Sequence, residues 1–454
     1  MTSSTSRLPL ALGAAAVLLA VVAFVIWTQR TAPDAAPLPP DRSAPGPGSE
    51  FVNAEESEAY YREQLRRQPE DVEARVRLAH VLLQRADATG DEFAFVPEAE
   101  TLLNEALDRD PTHYYARTLK AQLLNKLHDF EAARDLSREL LAEYPAHAFV
   151  HGTLIDALVE LGAYEEAIAV SDSMLALRPG LPAYSRASYL RELHGDTEGA
   201  IEAMRLAANA EPSGRPSRAW ALLKLGELYL GNAKPDTAAF IFAGILEEMP
   251  DFAPALAALG HVALVKGDPA GAIRQLEDAR TLRPGGATDE LLVEAYLAAG
   301  DEANARAAAS RVHEDLLRAR EMGENVDMEE ADFLADQGRD LDRVLRLARE
   351  QQARRPGHMH ANETLAWALH KTGDSQAGIP YIERAMRLDT GDAMVLFRAA
   401  EIYRGAGDRA KAVAHYRAAL RGNVGVESPS TARDARKALA ALESGPPAQT
   451  ASVR

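Results

Sequence analysis

Apolar residues recur at helical spacing along most of this chain, and the same grammar returns many times. In "APALAALGHVALVKGDPAGAIRQLEDARTLRP", Ala253 to Pro284, the residues Leu256, Leu259, Leu264 and Val265 mark one amphipathic helix. Ile273, Leu276 and Ala279 mark a second. Between them lies "KGDPAGA", with Gly at the end of the first helix and Pro in the first turn of the next, the asymmetry that helix capping favours. Neither helix is expected to stand alone in water; each must bury its stripe on its neighbours.

The breaks between helices are periodic. Pro111, Pro145 and Pro179 follow one another at 34-residue steps, as do Pro250 and Pro284, and Pro356 lies 72 further on. Gly162, Gly195, Gly231, Gly267, Gly300, Gly338, Gly373 and Gly407 mark a second series with spacings in the mid-thirties. A fixed period of this size indicates a solenoid of small repeated units.

The stretch "WALLKLGELYLG", Trp220 to Gly231, shows the repeat most clearly. Leu225-Gly226, Tyr229, Ala238, Phe242, Ile245 and Pro250 fall at spacings that resemble the tetratricopeptide repeat (TPR) family. Weaker copies carry Leu154, Leu158, Tyr164, Ala167 and Pro179, then Leu365-Ala366, Leu369 and Gly373, then Ala399-Ala400, Tyr403, Gly407, Ala412, Tyr416 and Ala419. About ten units begin near 72, 114, 148, 182, 219, 253, 287, 325, 359 and 393. The first holds an insertion around "ATGDEFAF"; those near 182 and 287 lack the Leu-Gly pair, and the one near 325 is weak. The resemblance implies an all-α, right-handed superhelical solenoid. Leu225, Gly226, Tyr229, Ala238, Phe242, Pro250, Leu259, Gly260, Ala272 and Pro284 are its packing positions.

The amino terminus differs. Leu8 to Trp27 is a run of twenty residues without a charge, enough for about 30 Å of helix. It is read as one transmembrane helix preceding the solenoid, with a cleaved signal peptide as the alternative. The short leading segment is slightly the more positive, which puts the bulk of the chain on the periplasmic side of an inner membrane. The expected organisation is a cytoplasmic tail 1–7, the anchor 8–27, a Pro-rich linker 28–52, a capping helix 53–71, the solenoid 72–424, and a closing helix with a disordered tail 425–454.

Charge and composition then narrow the chemistry. The net charge of −18 argues against non-specific binding of nucleic acid or anionic membranes. The lack of cysteine excludes disulfides, thiolate zinc sites and cysteine catalysis. His147 and His151 share a helix face, and His358 and His360 flank Met359, but no third ligand accompanies either pair. His313 lacks the second His of a metalloprotease helix. No catalytic residue, metal site or cofactor is expected.

TPR arrays bind peptides and proteins on the concave face built by the first helix of each unit. The resemblance assigns that face to Tyr115, Gln122, Asn125, Phe149, Asp156, Trp220, Glu227, His261, His360, Trp367, His370, Phe397, Glu401 and Arg404. Trp220 and Trp367 are the favoured anchors. The carboxylate clamp of chaperone-binding relatives is absent, since Thr118, Gln122, Gly152 and Asp156 occupy its positions. The expected function is a non-enzymatic, membrane-anchored scaffold for another protein or peptide, in the setting of envelope-complex assembly. The alternatives are a regulatory subunit of a membrane enzyme and a tether facing the cytoplasm.

Overall fold

The computed structural model describes residues 54–444 as 23 α-helices and one short 3-10 turn, with no strand among them. A leading helix, Ala54–Arg67, is followed by ten antiparallel helix pairs, from Val72–Thr89 with Glu92–Arg109 to Ala393–Gly405 with Arg409–Arg421. The short helix Val424–Glu427 and the long helix Pro429–Ser444 end the described chain. The insertion in the first pair is not a loop. Both of its helices run to 18 residues, against the 13 and 14 of the third pair, Ala148–Glu160 and Tyr164–Leu177.

The turns are written locally. In six pairs a Gly-Asp dipeptide joins the helices: Gly90, Gly195, Gly267, Gly300, Gly373 and Gly407 take positive φ. The Asp that follows each accepts a backbone N–H from the next helix, as Asp268 does from Gly271. Histidines do the same work between pairs. The Nδ1 atoms of His113, His147 and His358 accept from the backbone N–H groups of Ala116, Val150 and Ala361. The paired histidines at 147–151 and 358–360 thus include two helix caps, and the described residues contain no group of three or more ligands able to hold a metal.

Within a pair, small residues let the helices close. A Cβ added to Gly226 would lie 2.2 Å from the Phe242 ring, and one on Gly260 would lie 2.8 Å from Leu276. Leu225, Ala238, Phe242 and Ala272 are buried, and Tyr229 and Leu259 pack partly buried on the core around Ala238 and Phe242. Pro250 and Pro284 stand exposed in the links between pairs.

The coil then stacks on itself. Hydrogen bonds join residues 197, 195 and 192 positions apart: His128 to Asn325, Met359 to Tyr164, and Asn423 to Gly231. Gly90 meets the Arg283 side chain, Gly162 meets Gly357, and Gly195 meets the Asp389 carbonyl. In these contacts the turn inside one pair rests on a link between two pairs further along or, for Gly231, on the residues that follow the tenth pair. At about 34 residues per unit, the coil returns to the same place after just under six units. One core cluster accordingly joins Leu158 and Tyr164 to Met359, Ala399 and Tyr416.

One expectation requires correction. No described helix is long and apolar enough to cross a membrane. Even the longest, Glu302–Glu321, is studded with charge. The expected span 8–27 and the linker after it lie outside the described residues. The fold is therefore an all-α solenoid with no membrane-spanning helix among its described residues. The anchor, the inner-membrane location and the membrane as a partner are not carried forward.

Candidate functional site

Two cavities lie among the helices, lined mainly by the first helices of the pairs. The smaller, about 340 Å³, lies where the coil stacks and is lined by Asn125, His128, Phe130, Asp156, Glu160, Met328, Glu329, His358 and His360. The larger, about 1260 Å³, is enclosed by Gly286–Ala299, Glu302–Glu321, Asp327–Asp336, Met359–Lys371 and Ala393–Gly405. The final helix, Pro429–Ser444, completes this ring. Its Ser430 hydroxyl donates to Glu294 at 2.9 Å, and the Ser430 backbone N–H donates to the same carboxylate at 3.1 Å. Glu329 lines both cavities.

The residues assigned to the concave face from the sequence divide between these places. Asn125, Asp156 and His360 line the smaller cavity, while Trp367, Phe397, Glu401 and Arg404 line the larger. Asn125 donates through Nδ2 to the Thr153 carbonyl at 2.8 Å, and Asp156 is gripped by Arg186 at 2.6 Å. Tyr115 Oη lies 2.7 Å from His80 Nδ1, and Gln122 is half-buried. His261 Nε2 donates to the Val426 carbonyl at 2.5 Å, so the chain's own last segment covers that position. His370 stacks on Trp367 and hydrogen-bonds Ser375. Glu227 pairs with Lys224. Phe149 and Trp220 line neither cavity and are 45% and 40% exposed.

The two tryptophans therefore have unlike surroundings. Trp367 is only 7% exposed and its Nε1–H donates to Asp336 at 2.7 Å. Arg398 and Lys371 sit over its ring at 5.4 and 5.2 Å from the centroid. It forms part of the larger cavity's wall rather than projecting from it.

Built into that wall is an ionic knot that sequence reasoning missed. Arg398 Nη1 donates to Asp332 at 2.9 Å and to Glu363 at 3.2 Å, and Nη2 reaches Asp336 at 3.5 Å. His360 Nδ1 lies 2.9 Å from Glu363. Burial pushes the Asp332 carboxyl up to about 6 against the pull of Arg398. Burial is the largest single influence on His360 and lowers its pKa, but the hydrogen bond to Glu363 and the charges of Glu363, Asp392 and Asp332 together raise it to about 9. A signal was present: Trp367 and Asp336 are 31 residues apart, and Arg398 and Glu363 are 35 apart. Polar residues one unit apart fall side by side in a solenoid, but the repeat motif records only its packing positions.

Models described as tetratricopeptide repeat match residues 92–148, 124–188 and 394–421. Among solved structures, the chain is similar to the Cut9–Hcn1 hetero-tetramer of the APC/C, at 15% identity over 86% of this chain and 93% of that one, with a TM-score of 0.37. It is similar to PilW, a type IV pilus biogenesis factor, at 15% identity over 45% of this chain and 94% of that one (TM-score 0.38). It is also similar to human IFIT1, whose structure is a dimer with PPP-AAAA, at 13% identity over 81% and 94% (TM-score 0.42). No curated protein sequence matches it.

Proposed function

We propose that this chain, which belongs to the tetratricopeptide repeat family, is a non-enzymatic scaffold that holds an extended segment of another protein inside its coil. Repeats of this kind act as protein-interaction scaffolds, and that supports the general reading. The observation that carries the specific one is the larger cavity. It is wide enough for several residues of a peptide, its walls are helices and not loops, and it mixes aromatic and apolar surface with charged groups.

The test is site-specific photocrosslinking in the full chain, in its native host. A crosslinker replaces Gln337, which is exposed and lines the larger cavity, or Phe240, which is 81% exposed on the second helix of its pair. Capture of a protein from Gln337 and not from Phe240 is the expected result. Capture from Phe240 alone overturns the reading.

A further inference from the structure

The larger cavity has a chemical bias that narrows its occupant, and this step rests on the scaffold reading above. Its wall carries an apolar strip that includes Leu291, Val312, Leu316 and Phe333. Around that strip, seven carboxylates face four basic side chains. Three of the four bases are already committed, and only Lys437, on the closing helix, has no ion pair, hydrogen bond or aromatic ring contact among the described residues. Arg404 pairs with Glu401, Arg398 is held by the acids of the ionic knot, and Lys371 sits over Trp367.

The acids are not equally committed. No ion pair or hydrogen bond reaches Glu290 among the described residues; its surface is exposed to the cavity, and the wall around it raises its carboxyl above the usual range by desolvation. Asp434, on the closing helix, is largely exposed, and its one ion pair is a 4.0 Å approach to the neighbouring Arg433. Glu329 keeps one buried carboxylate oxygen without a hydrogen-bond partner. Glu290 and Asp434 stand on Gly286–Ala299 and Pro429–Ser444, the two helices that meet to close the ring. Carboxylates without a fixed partner are stabilised by an arriving cation, and they repel an anion.

We infer that the segment held in this cavity is cationic, with lysine or arginine side chains meeting Glu290, Asp434 and Glu329 and apolar side chains lying on the strip of Leu291, Leu316 and Phe333. An acidic peptide finds a single uncommitted base on this wall, Lys437, against seven carboxylates. The arrangement is thus opposite in sign to a carboxylate clamp.

Three fluorescein-labelled ten-residue peptides test this with the full chain, by anisotropy: alternating Lys-Leu, Glu-Leu and Ser-Leu. The Lys-Leu peptide is expected to bind in a salt-dependent manner, and the Glu-Leu peptide is not. The double variant Glu290→Gln, Asp434→Asn should weaken Lys-Leu binding about tenfold with unchanged thermal stability. Neutralising two exposed acids on second helices, Glu198→Gln with Glu302→Gln, should leave binding unchanged. Equal binding of the Glu-Leu peptide, equal loss in the two double variants, or no binding of the Lys-Leu peptide overturns the cationic assignment. The scaffold reading stands or falls separately, on crosslinking at Gln337.

Discussion

Gly162 and Gly357 meet backbone to backbone across successive turns of the coil. A Cβ built on Gly162 would lie 2.0 Å from the Gly357 carbonyl carbon. Gly162 also has φ +74, a left-handed conformation that costs an L residue about 1–2 kcal/mol. Gly267 has φ +81 but nothing within 4 Å of its Cβ position. Gly267→Ala should therefore show the backbone strain alone, and Gly162→Ala should show the strain and the clash together. In urea melts the second variant is expected to lose distinctly more stability. Equal losses would mean that the two turns do not press on each other in solution.

Tyr164 joins the same two turns. Its buried hydroxyl accepts the backbone N–H of Met359 at 3.0 Å, and Arg387 lies over its ring while donating to the carbonyls of Gly162 and Gly357. Tyr164→Phe keeps the ring and leaves that N–H unpaired, at a cost of about 1–3 kcal/mol. Loosening of the stacked turns should also raise the radius of gyration in small-angle scattering. A destabilised variant of unchanged dimensions would place the effect within one pair.

The two tryptophans should separate on mutation. Trp367→Ala removes a buried ring from a core that includes Leu334, Val344 and Leu365, and should cost about 3–5 kcal/mol. Trp220→Ala removes a ring that is 40% exposed and lines neither cavity, so a much smaller cost is expected. Chemical denaturation of the two variants checks this; similar costs would contradict the burial difference.

The ionic knot gives stability a pH dependence with a definite sign. His360 titrates at about 9 in the folded chain against an ordinary value of 6.5. Its contribution is therefore fully present below about 6.5 and is lost as pH rises through about 9. The urea midpoint should fall between pH 7 and pH 9.5, and His360→Gln should flatten this part of the curve. An unchanged slope in the variant would assign the fall to other groups.

Removing the hub should be worse than removing its satellite. Arg398→Met leaves the buried Glu363 and the half-buried Asp332 without their shared cation, which costs about 3–5 kcal/mol. Acid should partly restore this variant, because protonation removes the unpaired charge. Greater loss at low pH than at neutral pH would reverse the sign argued here.

Much of this was legible in the chain. The Gly-Asp turns dictate where first helices end and second helices begin, because an αL glycine and a capping aspartate act on adjacent backbone groups. Leu225, Gly226 and Phe242 fix how the helices of a pair pack, because those contacts repeat at short, constant spacing. The roles of His147 and His358 as caps are also local, since each accepts the backbone N–H three residues further on.

The sequence by itself determined the helix pairs, their period and the solenoid class, since each depends on neighbours within one or two units. Only the tertiary structure decided that Gly162 rests on Gly357, that Pro429–Ser444 closes a ring on Gly286–Ala299, and that Trp367 lies inside a wall while Trp220 faces out. Small rotations between units accumulate along a solenoid, and the sum of many such rotations sets which distant turns meet. No motif encodes that sum.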